Sequence, residues 1–134
     1  MLLTTRLFVA AALLCGASWL TKTAAIAATG GTQTDGGVIG VFWALGMLGL
    51  LVAAGTGTAA LLHSRPVWVR ALAGVASAPV AFVVVTLVDD AAKTVYAIDG
   101  WFGDEVGLVV SGTLVAALAL VVLARGRQVG PALS

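Results

Sequence analysis

From Val38 to Leu62 the chain runs for 25 residues without a charged side chain. At a rise of about 1.5 Å per residue, a helix of that length crosses the roughly 30 Å hydrocarbon layer of a membrane. Helix is the one conformation open to it, because a spanning strand needs alternating polarity and a closed barrel. The rest of the chain decides whether this is a lone anchor. Of 134 residues, 60% are hydrophobic and 10% charged, against about 25% charged in a soluble globular domain. That balance excludes a soluble enzyme, a nucleic-acid-binding domain and a disordered tail, and it implies a polytopic membrane protein.

Three further stretches meet the same length criterion: Leu7 to about Ala28, interrupted by Lys22; Val67 to Val88, with Arg70 one turn inside; and Val106 to Ala124. The expected architecture is a single transmembrane domain over residues 1–134. It is an all-α integral membrane four-helix bundle in up-down order, with spans at about 7–28, 38–62, 67–88 and 106–124 and an outer acidic loop at 89–105. The first stretch also has the make-up of a signal peptide, with Arg6 ahead of an apolar run and Ala25-Ile26-Ala27 as a small-residue cleavage pattern. Retention as a span is the expectation.

Basic residues set the expected orientation. Arg6, Arg65, Arg70, Arg125 and Arg127 fall at one end of such a bundle, and Lys22 and Lys93 at the other. All six acids (Asp35, Asp89, Asp90, Asp99, Asp104 and Glu105) share the lysine end. Five basic residues against two put both termini on the cytoplasmic side of the plasma membrane. Ser64 is a candidate cap for the third helix, with Pro66 in its first turn. Asp104 and Glu105 suit the positive end of the fourth helix dipole. Trp19 and Trp101 are placed near the outer interface, Trp68 near the inner one, and Trp43 one to two turns inside the second helix, for anchoring or packing.

Ionisable groups at membrane depth usually mark function, yet no Asp, Glu, His, Lys or Arg falls at the centre of any span. His63 is the only histidine and cannot supply paired haem ligands within one chain. Cys15, the only cysteine, excludes an internal disulfide and reads as a small apolar residue. No phosphate-binding glycine loop or zinc-protease motif is present. The expectation is therefore no catalytic residue, no metal and no cofactor.

The acidic segment after the third span holds the candidate interaction or cation surface: Asp89, Asp90, Lys93, Tyr96, Asp99, Trp101, Asp104 and Glu105. Two acids directly after Val88 would oppose the negative end of a helix stopping there. Either the helix continues to about Ile98, with Asp99-Gly100 as the stop and Asp89 meeting Lys93 at i, i+4, or a cation or basic side chain neutralises the acids. Lys22 is the expected partner, in an ion pair with Asp89 or Asp90 that ties the first helix to the third. The spacing matches no EF-hand loop, although carboxylates suit calcium.

Small residues mark candidate packing faces. The second span carries Gly36, Gly40 and Ala44 on one four-residue row and Gly49, Ala53 and Gly57 on another. The fourth carries Gly107 and Ser111, with Gly112 and Ala116 alongside. Pro79 interrupts the ladder of the third span and frees the Val75 carbonyl, which Ser77 or a neighbouring helix can satisfy. The functional expectation is a non-catalytic accessory, scaffold or oligomerising subunit, with the lipid bilayer and another membrane protein or itself as partners and no nucleic acid. The alternatives are a small channel or carrier with an acidic outer mouth and hydroxyl-lined path, and a lipid-modifying membrane enzyme.

Overall fold

A computed structural model describes residues 3–32 and 36–133, with side chains described as far as Gly126. Asp35 and the side chain of Arg127 lie outside the described residues. Four helices follow one another: α1 (Leu3–Ala28), α2 (Gly37–Leu61), α3 (Val67–Tyr96) and α4 (Trp101–Leu133). All four are long and apolar enough to cross a membrane, and the chain is a multi-pass membrane protein. Each helix packs on two others, α1 and α3 each on α2 and α4, so the four close into a ring with α1 and α3 at opposite corners.

The third and fourth helices are longer than their hydropathy spans at the acidic end. The third does not stop at Val88. It runs to Tyr96, and Ala97 in the left-handed region (φ 48°) ends it, its N–H donating to the Lys93 carbonyl at 3.1 Å. The fourth starts at Trp101. The expected loop at 89–105 is therefore a four-residue turn, 97–100, between two helix ends. At 30 residues, α3 is about 45 Å long, so its last turns stand clear of a hydrocarbon layer of roughly 30 Å. Hydropathy marks where lipid ends; a helix continues until its backbone is capped.

Helix α1 ends in a Schellman motif. The Gly31 N–H donates to the Ile26 carbonyl (3.0 Å) and the Gly30 N–H to the Ala27 carbonyl (2.9 Å), with Gly30 at φ 67°. This arrangement satisfies carbonyls that a helix end otherwise leaves bare, and glycine takes the positive φ without steric cost. Between α2 and α3 the expected cap is not formed. Pro66, not Ser64, is the N-cap of α3, and no side chain caps it. The turn is closed instead by the Arg65 N–H on the Leu62 carbonyl (2.9 Å) and by the Arg70 N–H on the Pro66 carbonyl (3.1 Å).

The core centres on α1. Cys15, Trp19 and Leu50 form one buried group, with Met47, Ala81, Val85, Leu108 and Val115 packed around it. Val9, Ala11, Ala12, Ala53 and Ala119 form the other. Glycines let the backbones approach. A Cβ at Gly49 would lie 2.7 Å from the Ala11 carbonyl oxygen, and one at Gly16 would lie 2.7 Å from that of Gly112. Of the two expected rows on α2, only Gly49, Ala53 and Gly57 packs within the chain. Gly36 is the helix cap, Gly40 meets nothing within 4 Å and Ala44 is exposed.

Of the two roles expected for Trp19, anchoring and packing, the structure shows packing. The residue is 0% exposed and covers Gly46, whose missing side chain makes room for the indole. Its Nε1–H donates to the Trp43 carbonyl at 3.3 Å. A buried tryptophan needs that partner for its one polar atom. Trp43 and Trp68 remain exposed, as lipid or interface anchors are.

Candidate functional site

The acidic end of the bundle brings together the ends of α1 and α3 with the start of α4. Lys22, about 9 Å before the end of α1 at helical rise, sends its Nζ to Glu105 Oε2 on α4 at 2.5 Å. Both side chains are buried, 7% and 9% exposed. The expected pairing of Lys22 with Asp89 or Asp90 is not the one formed, and ring order explains why. Lys22 belongs to α1, whose neighbours are α2 and α4, while the two aspartates belong to α3 at the opposite corner. Glu105, one turn into α4, is the acid at the right depth on an adjacent helix. The sequence held one usable signal for it: a lysine buried near a helix end needs an acid at equal depth.

Asp89 is held within its own helix. Lys93 Nζ lies 2.8 Å from Asp89 Oδ2 in an i, i+4 pair, as the continuous-helix alternative expects. The half-buried Asp89 also packs on α4 at Gly107, where any side chain would overlap it. The glycine is what lets α3 and α4 meet at this carboxylate. Asp90 is exposed, its carbonyl accepting from the Thr94 hydroxyl at 3.0 Å.

The remaining candidates divide into two sets. Trp101 is half-buried, stands edge-on to Phe102 (centroids 5.7 Å apart, planes at 89°) and occupies the space that the missing side chain of Gly31 leaves. It thereby locks the α1–α2 turn to the start of α4. Tyr96, Asp99 and Asp104 are exposed. The water-facing surface thus reduces to Asp90, Tyr96, Asp99 and Asp104 beside the Asp89–Lys93 pair. Among the described residues, no three of His, Cys, Asp and Glu converge as a metal site.

Of the six hydroxyls expected to line a polar path (Thr56, Thr58, Ser77, Thr86, Ser111 and Thr113), three bond their own helices. Thr56 donates to the Val52 carbonyl (2.7 Å), Ser77 to Gly74 (2.7 Å) and Thr86 to Phe82 (2.9 Å). Ser77 bonds the Gly74 carbonyl, not the Val75 carbonyl that Pro79 frees. Thr58 lines a groove of about 450 Å³ at the arginine end, between α1, α2 and α4, and Thr113 is exposed. Ser111 Oγ is buried without a hydrogen-bond partner. The centre of the bundle, around Cys15, Trp19 and Leu50, is apolar.

Compared with protein families, curated proteins and solved structures, the chain has no match.

Proposed function

We propose that this protein is a non-catalytic accessory or oligomerising subunit of the plasma membrane, with both termini cytoplasmic, working by packing against another membrane protein or a second copy of itself. The reading rests on one observation. A Cβ on Gly40 would meet nothing within 4 Å among the described residues and Ala44 is exposed, while the second small-residue row of the same helix packs against α1. Membrane helices associate through such small faces because bare backbone allows close van der Waals contact where lipid supplies no hydrophobic drive. Val41 and Leu48, beside and along this row, are exposed as well. The buried charges add support, because Lys22 and Glu105 neutralise each other and tie α1 to α4 as a structural pair.

Native mass spectrometry from a mild detergent tests the reading. The wild type is expected as a defined oligomer or a stoichiometric complex. Gly40→Leu is expected to abolish association without lowering the thermal midpoint of the single chain, since a Cβ there meets nothing within 4 Å among the described residues. Recovery of the wild type as a lone monomer that conducts ions in liposomes would overturn the proposal in favour of a channel.

A further inference from the structure

A groove of about 580 Å³ opens between α2 and α3 at the arginine end of the bundle. Its floor is bare backbone at Gly55 and Gly74, which approach so closely that a Cβ on Gly74 would lie 3.1 Å from the Gly55 carbonyl oxygen. Ala59 and Ala71 line its walls, and Thr4 and Arg70 stand in it as well. We propose that this groove binds an anionic phospholipid, with an acyl chain along the glycine floor and the headgroup phosphate on the Arg70 guanidinium.

The charge argument is specific. Arg70 is half-buried, and its Nε–H donates to the Ala59 carbonyl at 3.1 Å, one of the carbonyls left bare where α2 ends. That bond uses one of five N–H donors, and among the described residues no acid pairs with the guanidinium. The described acids, Asp89, Asp90, Asp99, Asp104 and Glu105, all belong to the opposite end. The guanidinium is therefore open to a counter-charge from outside the described chain. A second copy in the same orientation presents the same arginine end, so it brings repulsion instead of an acid. Anionic lipid supplies a phosphate at this depth, four residues into α3, and basic clefts between membrane helices recognise such headgroups.

The second observation is independent of charge. Thr4 Oγ1 is buried, lacks a hydrogen-bond partner among the described residues and belongs to a residue lining the same groove. A buried hydroxyl without a partner costs stability, and in the proposed complex the Thr4 side chain rotates toward the groove to donate to a headgroup oxygen. The groove between α1, α2 and α4 has no charged residue in its lining, so it lacks the feature that selects a headgroup.

Binding of phosphatidylglycerol and of phosphatidylcholine to the purified full chain in detergent is compared by native mass spectrometry. Both lipids offer a phosphate to Arg70, but the choline ammonium cancels the net charge of phosphatidylcholine, so the wild type is expected to prefer phosphatidylglycerol about tenfold. Arg70→Gln is expected to erase the preference. Because that variant also uncaps α2, Ala71→Leu is measured beside it: it fills the groove, keeps Arg70 and is expected to weaken lipid binding. Equal binding of the two lipids by the wild type would overturn the proposal. So would full lipid retention by Ala71→Leu, or displacement of phosphatidylglycerol by glycerol phosphate alone. Occupation of the groove by a second copy, seen as a dimer that Ala71→Leu dissolves and lipid does not affect, would also overturn it.

Discussion

Removing either partner of the Lys22–Glu105 pair is expected to be the most damaging charge change available in this protein. At 2.5 Å and an effective dielectric of about 20, the attraction is roughly 7 kcal/mol. Taking the two ions out of water costs several kcal/mol each, so the net contribution of the intact pair is small. A single substitution has a different consequence. Lys22→Met leaves a buried carboxylate and Glu105→Gln a buried ammonium, each without a counter-charge, at about 3–5 kcal/mol apiece. The double variant Lys22→Met/Glu105→Gln leaves no charge behind and is expected to lie within about 2 kcal/mol of the wild type. A double-mutant cycle, read by reversible unfolding in mixed micelles, should therefore return a coupling of at least about 3 kcal/mol. The Asp89–Lys93 pair provides the contrast. Its lysine is 40% exposed, and removing that pair is expected to cost about 0.3–0.5 kcal/mol. Additive losses for Lys22 and Glu105, or strong coupling of Lys22 to Asp89 or Asp90, would refute the assignment.

Two further outcomes follow from the backbone. Gly49→Ala is expected to destabilise the bundle by about 1–3 kcal/mol, because its Cβ meets the Ala11 carbonyl and the Cys15 amide, neither of which can move cheaply. Gly40→Ala on the same helix is expected to raise unfolding stability by up to about 1 kcal/mol through helix propensity, so a comparable loss at both sites would contradict the packing described. Ala97→Gly is expected to stabilise the end of α3 by about 0.5–1 kcal/mol by relieving the left-handed φ, measured as a rise in thermal midpoint; an unchanged or lowered midpoint would refute a strained cap.

Particular residues mark how far the sequence could be read. The four spans were legible because hydropathy is a local sum: Val38 to Leu62 announces a membrane helix whatever its neighbours do. The i, i+4 pairing of Asp89 with Lys93 was legible as an alternative because helix geometry alone places those residues together. The partner of Lys22 was not, since it depends on which helix stands beside α1 at that depth. The choice between anchoring and packing for Trp19 was not legible for a related reason. Counting residues from a helix end gives depth in the membrane but not the direction a side chain faces, and Gly46, which makes its pocket, lies on another helix.

Composition and charge order thus determined by themselves that the chain carries four helices long and apolar enough to cross a membrane, and they sorted its described arginines and acids to opposite ends. Tertiary structure decided how the helices turn toward one another. In water an amphipathic stripe directs that rotation, but none of these helices has a marked polar face, and lipid is as apolar as the core. Rotation is left to the few places where shape or charge differs: Gly16 on Gly112, Gly49 on α1, Gly107 under Asp89, and Lys22 on Glu105. These are pairwise contacts between distant residues, and only the assembled bundle selects them.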